Sequence, residues 1–288
     1  LDRFDWVLPV FGAFLLFTAF KMLRPGEMAV DPAQHRVLRL VRRIIPMTEG
    51  YDAQRLFTRR GGVLAATPLF AVLVMVEATA VEQRGQISAG DLGLWTDEQI
   101  APLRRIADFI RENGAVPAIQ LAHAGRKAST AAPWNGGAPV LPEAGGWTPV
   151  APSPIPFAAG YATPSQLAVE EIHRITRAFA DAARRSLEAG FDVVEIHAAH
   201  GYLVHQFLSP ITNQRTDEYG GSAENRAKFL VDMVHQMREA IGEQVPILIR
   251  FSATDYHPAG FTALIEVVLN NTDFNVDISL WAAGKANL

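Results

Sequence analysis

The sequence predicts an α/β fold of the (β/α)8 TIM-barrel type, and two observations carry this prediction. Over residues 77–258, short apolar runs that are typical of strands alternate with longer stretches at helical spacing, as in repeated βα units. Successive strands also end in polar residues, namely Gln120, His197 and Arg250. Because a TIM barrel places its active site at the carboxyl ends of its parallel strands, this pattern favours a barrel enzyme.

The strands and helices of this region follow one another along the chain. "LFAVLVMVEATAV" is interpreted as a buried strand that ends at Ala78, and "DEQIAPLRRIADFIRENG" as a helix that stops at Gly114. "AVPAIQLAHAG" is the second strand, and a loop over 125–165 follows, rich in Pro, Gly and Ala. A long helix is expected from an N-cap at Ser165 to a stop at Gly190. The last elements are a strand in "FDVVEIH", a helix in "NRAKFLVDMVHQMREAIG" and a strand in "VPILIRFS".

Composition excludes several classes of protein. The chain of 288 residues has a formal net charge of −4, and without a basic excess no nucleic-acid partner is expected. It contains no cysteine, which excludes disulfides, thiolate metal sites and a cysteine nucleophile, and fits a reducing compartment. We therefore expect a cytoplasmic location for the barrel part.

The segment 1–76 has a different character. Residues 6–20, "WVLPVFGAFLLFTAF", carry no charge and are apolar on every side of a helix, which favours a transmembrane helix over 4–23 rather than a buried core helix. The basic stretch 35–46 has the pattern of an amphipathic helix, and a second apolar run covers 61–76. The prediction for this segment is mainly helical, with membrane contact through 4–23.

Two stretches of this segment resemble the TerC family of integral membrane proteins. They are "LDRFDWVLPVFGAFLLFTAFKML" and "RRGGVLAATPLFAVLVMVE". The resemblance implies a membrane protein, but the acidic residues that follow the second stretch in that family, and are implicated in metal-ion handling, are missing after Glu77.

A second resemblance covers residues 77–258 and rests on seven motifs in order. They are "VEATAV", "DLGLW", "IQLAHAGRKAS", "VAPSPIPF", "AGFDVVEIHAAHGYLVHQFLSP", "NQRTDEYGGSAENR" and "IRFSATDY". Together they resemble the Old Yellow Enzyme family of flavin-dependent ene-reductases, and most of all its bacterial xenobiotic-reductase branch. The resemblance implies FMN and NAD(P)H as cofactors, and an enone or nitroalkene whose activated C=C bond is reduced.

The same resemblance assigns roles to single residues. It implies that His197 and His200 donate hydrogen bonds to the substrate oxygen, and that Tyr202 is the proton donor. A phenol with a pKa near 10 still holds its proton at neutral pH and suits this role. It also implies that three residues contact the isoalloxazine ring of the flavin: the small residue Ala78, the amide of Gln120 and the cation of Arg250.

Other interpretations of these residues remain open at this point. His197 and His200 with Glu195 on the same strand face are compatible with a metal site, although zinc requires a further convergent ligand, and we expect no metal. Ala78 is compatible with plain core and Gln120 with a strand-end cap. His205 is expected to be a packing or surface residue.

The two resemblances together describe a chimera with an incomplete barrel. We expect a TerC-like segment over 1–76, the central part of a flavin-binding barrel over 77–260, and an unassigned tail over 261–288. Because the family's later, phosphate-binding strands find no match after Gly260, we expect this chain to bind FMN poorly or not at all, with similar, weak affinities for FMN and riboflavin. The alternatives are a TerC-like membrane protein with the barrel part as a passenger, and a non-catalytic barrel fragment that folds only with a partner, such as a second copy in a homo-oligomer.

Overall fold

The computed structural model describes residues 57–60, 63–66, 73–252, 254–261 and 278–280. The strands are β1 (Phe57–Arg60), β2 (Val63–Ala66), β3 (Leu73–Ala80), β4 (Val116–Ala122), β5 (Val150–Ala151), β6 (Ser165–Gln166), β7 (Val193–Ala198), β8 (Ile247–Phe251) and β9 (Ile278–Leu280). The helices of four residues or more are α1 (Ile100–Glu112), α2 (Val169–Glu188), α3 (Leu203–Leu208) and α4 (Ala223–Ile241).

Five strands form one parallel sheet in the order β3-β4-β7-β8-β9. Each strand therefore lies beside the next long strand along the chain, which is the order of successive strands in a TIM barrel. The predicted α/β fold with a parallel sheet is confirmed. Each carboxyl end lies at the same edge of the sheet, where the expected site residues are found.

The two faces of the sheet have different neighbours, because side chains alternate along each strand. On β4, Ile119 and Leu121 belong to the main hydrophobic core, which also contains the buried residues of α2 and α4. On the other face, Ala118 packs in a small separate cluster with Val116 and Val193. Gln120 follows Ala118 on this second face, which corresponds to the interior face of a TIM barrel.

The long helices pack on the sheet through apolar stripes. In α2 the buried residues Ile172, Ile175, Phe179 and Ala182 recur at the spacing of one helix face. The prediction of an N-cap at Ser165 is wrong, because Ser165 lies in β6 and pairs with Val150 of β5. The helix begins at Val169, where the Glu171 side chain accepts a hydrogen bond from the backbone N–H of Ala168 at 3.2 Å.

The described residues of the apolar run 61–76 are in strands, where a mainly helical segment was expected. Its described residues form β2, which pairs with β1 as an antiparallel hairpin, and the first half of β3. No helix among the described residues is long and apolar enough to cross a membrane. The expected spans and helices at 4–23 and 35–46 lie outside the described residues.

Strand β3 runs through the domain boundary that was expected between residues 76 and 77. Its residues Leu73 to Val76 pair in register with Val116 to Ile119 of β4, so they belong to the same sheet as the site. Within the tail 261–288, β9 pairs with β8 in parallel and adds a fifth strand. The sheet therefore extends beyond both ends of the expected barrel segment.

Candidate active site

A β-bulge shapes the end of β3. Val76 pairs with Ile119 and Thr79 with Leu121, so two residues, Glu77 and Ala78, stand opposite one residue of β4. As a result Ala78 lines a small cavity together with Ala80, Ala122 and Tyr202. The expected flavin-contacting alanine and the expected proton donor thus share one cavity.

A charged cluster lies on the interior face of the strand ends, and it consists of Glu77, Gln120, Glu195 and Arg250. Nε2 of Gln120 donates to Oε1 of Glu195 at 2.5 Å, because the two residues are paired in register on β4 and β7. Arg250 donates through Nη2 to Oε1 of Glu77 at 2.6 Å, and its Nε lies 3.3 Å from Oε1 of Glu195. We call these four residues the strand-end cluster.

The carboxylate of Glu195 is the buried charged group of this cluster, with 3% of the residue exposed. Burial raises its pKa above the ordinary value, and the nearby carboxylate of Glu77 acts in the same direction. The hydrogen bond from Gln120 and the charge of Arg250 oppose this rise. Glu195 therefore depends on these two partners for its ionised form.

The two imidazoles expected to bind substrate lie in contact. Nε2 of His197 is 3.3 Å from Nδ1 of His200, and their ring planes are nearly perpendicular. Nδ1 of His197 accepts the backbone N–H of Ala199 at 3.2 Å, so in the neutral ring the proton is on Nε2. This proton faces His200, so His197 reaches a substrate oxygen only when the contact opens.

His200 has an unusual backbone, with a φ of 58°. Its backbone N–H donates to Oγ of Ser252 after β8 at 3.0 Å, and its carbonyl accepts from Nζ of Lys127 at 3.0 Å. A non-glycine residue with positive φ is strained and persists where its surroundings hold it. Both bonds come from neighbouring loops at the sheet edge, and they fix the turn between the imidazoles and Tyr202.

Both imidazoles are held in the neutral form. Burial lowers the pKa of His197 to about 3; repulsion between the protonated forms of His197 and His200, and then the charge of Arg250, lower it further. Burial also lowers the pKa of His200, followed by Arg250 and Lys127. A neutral imidazole can donate one N–H without carrying a charge of its own.

Tyr202 lies beside His197, with ring centroids 5.0 Å apart. Burial raises its pKa above 10, and the charge of Asp91 adds to the rise. The phenol therefore keeps its proton at neutral pH. This agrees with the expected role of proton donor but does not test it.

Lys127 is a site residue that the sequence reasoning missed. Its Nζ lies 4.9 Å from the centroid of the Tyr202 ring and 4.7 Å from that of Phe157. Burial lowers its pKa, and the charge of Arg126 adds to this. The sequence could have indicated Lys127 by its position in "AGRK", because this segment directly follows the strand that carries Gln120.

His205 is not a surface residue. It is 3% exposed, and its Nε2 lies 2.7 Å from Oδ1 of Asp255. Oδ2 of Asp255 accepts from Oγ of Ser209 at 2.7 Å, so the imidazole is tied into a buried polar network. Among the described residues, no group of three or more His, Asp or Glu side chains could hold a metal ion.

The comparisons with known proteins come from sequence and from structure. The profile of the NADH:flavin oxidoreductase / NADH oxidase family matches residues 69–274. The chain is 49% identical over 212 residues to an NADH:flavin oxidoreductase of Gibberella zeae, and 52% identical over 188 residues to an NADPH dehydrogenase of Listeria monocytogenes. These matches cover 72% and 65% of this chain, and 51% of each relative. The chain therefore spans about half the length of the curated relatives it matches.

Two solved structures are similar to the described fold. A 2-naphthoyl-CoA reductase in complex with 2-naphthoyl-CoA matches with a TM-score of 0.61 at 28% identity, covering 72% of this chain and 33% of that one. A morphinone reductase in complex with tetrahydroNAD matches with a TM-score of 0.54 at 35% identity, covering 62% and 50%. These matches confirm the flavin-family resemblance and give no support to the TerC resemblance. The match to residues 69–274 also crosses both boundaries expected for the barrel segment.

Proposed function

Because this chain belongs to the NADH:flavin oxidoreductase / NADH oxidase family, we propose that its strand ends bind a flavin ring beside an enone or nitroalkene whose C=C bond is reduced. FMN and NAD(P)H are the cofactors of this family, and relatives are named as NADPH dehydrogenases. One observation carries the proposal: His197, His200 and Tyr202 lie together at the sheet edge, where Gln120 and Arg250 lie near the ends of the neighbouring strands.

The residues at the strand ends fit an isoalloxazine ring chemically. Ala78 offers a small apolar side chain in the bulge near the end of β3. Gln120 offers an amide, and Arg250 a cation for the side of the ring where negative charge builds on reduction. Nη1 of Arg250 makes no hydrogen bond with the described residues, and 24% of the side chain is exposed. When bound, FMN supplies the transfer of a hydride equivalent from NAD(P)H to the β-carbon of the substrate.

The histidine pair provides hydrogen-bond donors for the oxygen of the substrate. Negative charge develops on that carbonyl or nitro oxygen as the β-carbon is reduced, and fixed donors aimed at it lower the barrier. Neutral His197 and His200 each have one N–H, and the positive φ of His200 turns its ring towards His197. The same donors suit the oxygen of a phenol, which accepts hydrogen bonds in the same way.

Tyr202 supplies the proton that the α-carbon requires. Its raised pKa keeps the hydroxyl protonated at neutral pH, and its ring packs against His197 in the lining of the shared cavity. Lys127 lies over the face of this ring, where its charge favours a phenolate that forms after proton transfer. Proton transfer by a positioned side chain contributes about 100-fold to 10,000-fold to a rate.

Location and assembly belong to the same proposal. A nicotinamide-dependent reaction agrees with a cytoplasmic location for the barrel part, as the lack of cysteine suggested. Membrane contact through 4–23 and assembly into a homo-oligomer stay predictions, and the first concerns residues outside those described.

The test is a turnover assay with the purified chain. Added FMN and NADPH should support reduction of 2-cyclohexenone to cyclohexanone, and of a nitroalkene to the nitroalkane. Tyr202→Phe should lower this rate, while Lys228→Met, outside the site, should not. If FMN binds and NADPH is consumed without loss of the enone, the assignment of the substrate class is wrong.

A further inference from the structure

One carboxylate oxygen links the two polar residues that are proposed to face the flavin ring. Oε1 of Glu195 accepts from Nε2 of Gln120 at 2.5 Å and lies 3.3 Å from Nε of Arg250. Gln120 is 1% exposed and Glu195 is 3% exposed, so solvent barely competes for either group. A charge-assisted hydrogen bond in such surroundings is among the stronger side-chain contacts.

This contact decides which end of the Gln120 amide is free. A carboxylate only accepts hydrogen bonds, so the NH2 group of the amide must be the end that meets Glu195. The carbonyl oxygen of Gln120 is the remaining end, and it makes no hydrogen bond with the described residues. A carbonyl oxygen can only accept, so it is suited to a ligand N–H and repels a ligand carbonyl.

We propose that Glu195 is a positioning residue whose carboxylate turns the Gln120 amide so that its carbonyl oxygen accepts from the imide N–H of the flavin ring. This rests on the proposed flavin site. The pyrimidine edge of an isoalloxazine carries one N–H, at N3, between two carbonyl oxygens, so the orientation of one amide discriminates between ring positions. Glu195 also contacts Nε of Arg250, so it fixes the guanidinium group relative to the carbonyl oxygen of Gln120.

The chain offers a matched control. Glu77 binds the same arginine at 2.6 Å and is also a carboxylate of the strand-end cluster, but it makes no contact with Gln120 among the described interactions. Glu77→Gln therefore disturbs Arg250 without releasing the Gln120 amide. Glu195→Gln keeps the size of the side chain but can meet the Gln120 amide with either its own oxygen or its own NH2 group.

The first measurement needs no flavin. Nuclear magnetic resonance of the ligand-free chain should show one side-chain amide proton shifted downfield by the carboxylate, assigned to Gln120 because Gln120→Ala removes it. We expect Glu195→Gln to reduce the shift, because the carboxylate charge is lost, and Glu77→Gln to retain it. A shift of wild-type size in Glu195→Gln would overturn the proposal.

The second measurement compares riboflavin with 3-methylriboflavin by fluorescence quenching. The methyl group replaces the N3 hydrogen, so the wild type should prefer riboflavin by about tenfold, the value of one hydrogen bond with a buried acceptor. Glu77→Gln should keep this ratio of dissociation constants. Glu195→Gln and Gln120→Ala should each reduce the ratio to about twofold, and the double variant should reduce it no further, because Glu195 acts through Gln120.

The outcomes separate this inference from the proposed function. A wild type that binds both flavins equally, or a Glu195→Gln variant that keeps the tenfold ratio, would show that the amide does not accept from N3 or is not set by Glu195. A wild type that binds neither flavin would make the proposed function wrong. In that case the amide signal still decides whether Glu195 orients Gln120.

Discussion

Nε2 of His197 lies 3.3 Å from Nδ1 of His200, and the second ring stands nearly perpendicular to the first. Three residues of sequence separate them, and the positive φ of His200 makes the contact possible. Each ring is neutral, so the contact joins a donor to an acceptor without electrostatic repulsion. The two imidazoles can therefore separate and form hydrogen bonds with a substrate oxygen in place of the contact between them.

Removal of both imidazoles tests this directly. In FMN-loaded chain, His197→Ala with His200→Ala should weaken a phenol ligand by about 100-fold, the value of two hydrogen bonds to a charged oxygen. FMN itself should lose less than about threefold, because the pair does not belong to the strand-end cluster. The long-wavelength charge-transfer band of the phenolate on the flavin reports the affinity. An unchanged band at the same phenol concentration would contradict the assigned role.

Acid stability should depend on His197. Its pKa is about 3 in the folded chain and about 6.5 when unfolded, so between these values the unfolded chain binds a proton that the native chain does not. The free energy of unfolding should therefore fall as the pH falls from 6.5 towards 3, with a contribution of up to about 1.4 kcal/mol per pH unit from this group. Urea unfolding of His197→Asn between pH 6 and 4 should show a shallower slope than the wild type. Equal slopes would show that His197 is not held neutral.

Tyr202→Phe should separate proton donation from packing. The ring remains beside His197, but the hydroxyl is lost, so reduction of enone in the proposed reaction should slow by about 100-fold or more. The rate at which NADPH reduces bound FMN should change little, because that step needs no proton at the substrate α-carbon. Stopped-flow absorbance of the flavin measures both steps. Equal slowing of the two would indicate a structural defect instead.

Lys127 should support the histidine turn. Lys127→Met removes the donor to the His200 carbonyl, and we expect about a tenfold loss of phenol affinity and little change in FMN affinity. Lys127→Arg should restore part of the loss because it keeps a cation. Lys228→Met is the control, since Lys228 also lies over a tyrosine ring, Tyr219 at 5.2 Å, but outside the site. If Lys228→Met lost phenol affinity to the same extent, the role assigned to Lys127 would be wrong.

Arg215 should be a structural residue. It is 6% exposed and donates to the carbonyls of Pro152 and Leu167 as well as to Asp217, so its loss leaves buried acceptors unpaired. We expect Arg215→Met to cost about 3 kcal/mol of stability in urea unfolding. Arg184→Met removes an exposed helix pair with Glu188 and should cost less than about 0.5 kcal/mol. Similar costs for the two would contradict this role.

The strands were predicted well where a polar residue marked the carboxyl end of the strand. Gln120, His197 and Arg250 each lie within two residues of the end of a strand, and the structure brings all three to one sheet edge. The mainly helical prediction for 1–76 is wrong for the described residues of 61–76, because a continuous apolar stretch fits a strand as well as a helix. The strand interpretation of "LFAVLVMVEATAV" agrees with the pairing of β3 with β4. The predicted N-cap at Ser165 was wrong for a similar reason, because the pairing of Ser165 with Val150 overrides the preference of serine for helix N-caps.

Contacts between residues that are far apart along the chain could not be predicted from the sequence. The roles of Glu195 and Lys127 depend on the register of β4 with β7 and on the fold of the loop after β4. Neither residue has a spacing that reveals its partner. The contact between His197 and His200 likewise depends on a backbone angle that a histidine rarely adopts.

The central claim is that the strand ends bind a flavin ring, and riboflavin titration measures it most directly because riboflavin has the ring without the phosphate. The account predicts saturable quenching of flavin fluorescence with one site per chain. It also predicts an affinity about tenfold weaker in Arg250→Met, with a circular dichroism spectrum like that of the wild type. Absence of saturable binding by the folded chain, or an equal affinity in Arg250→Met, would contradict it.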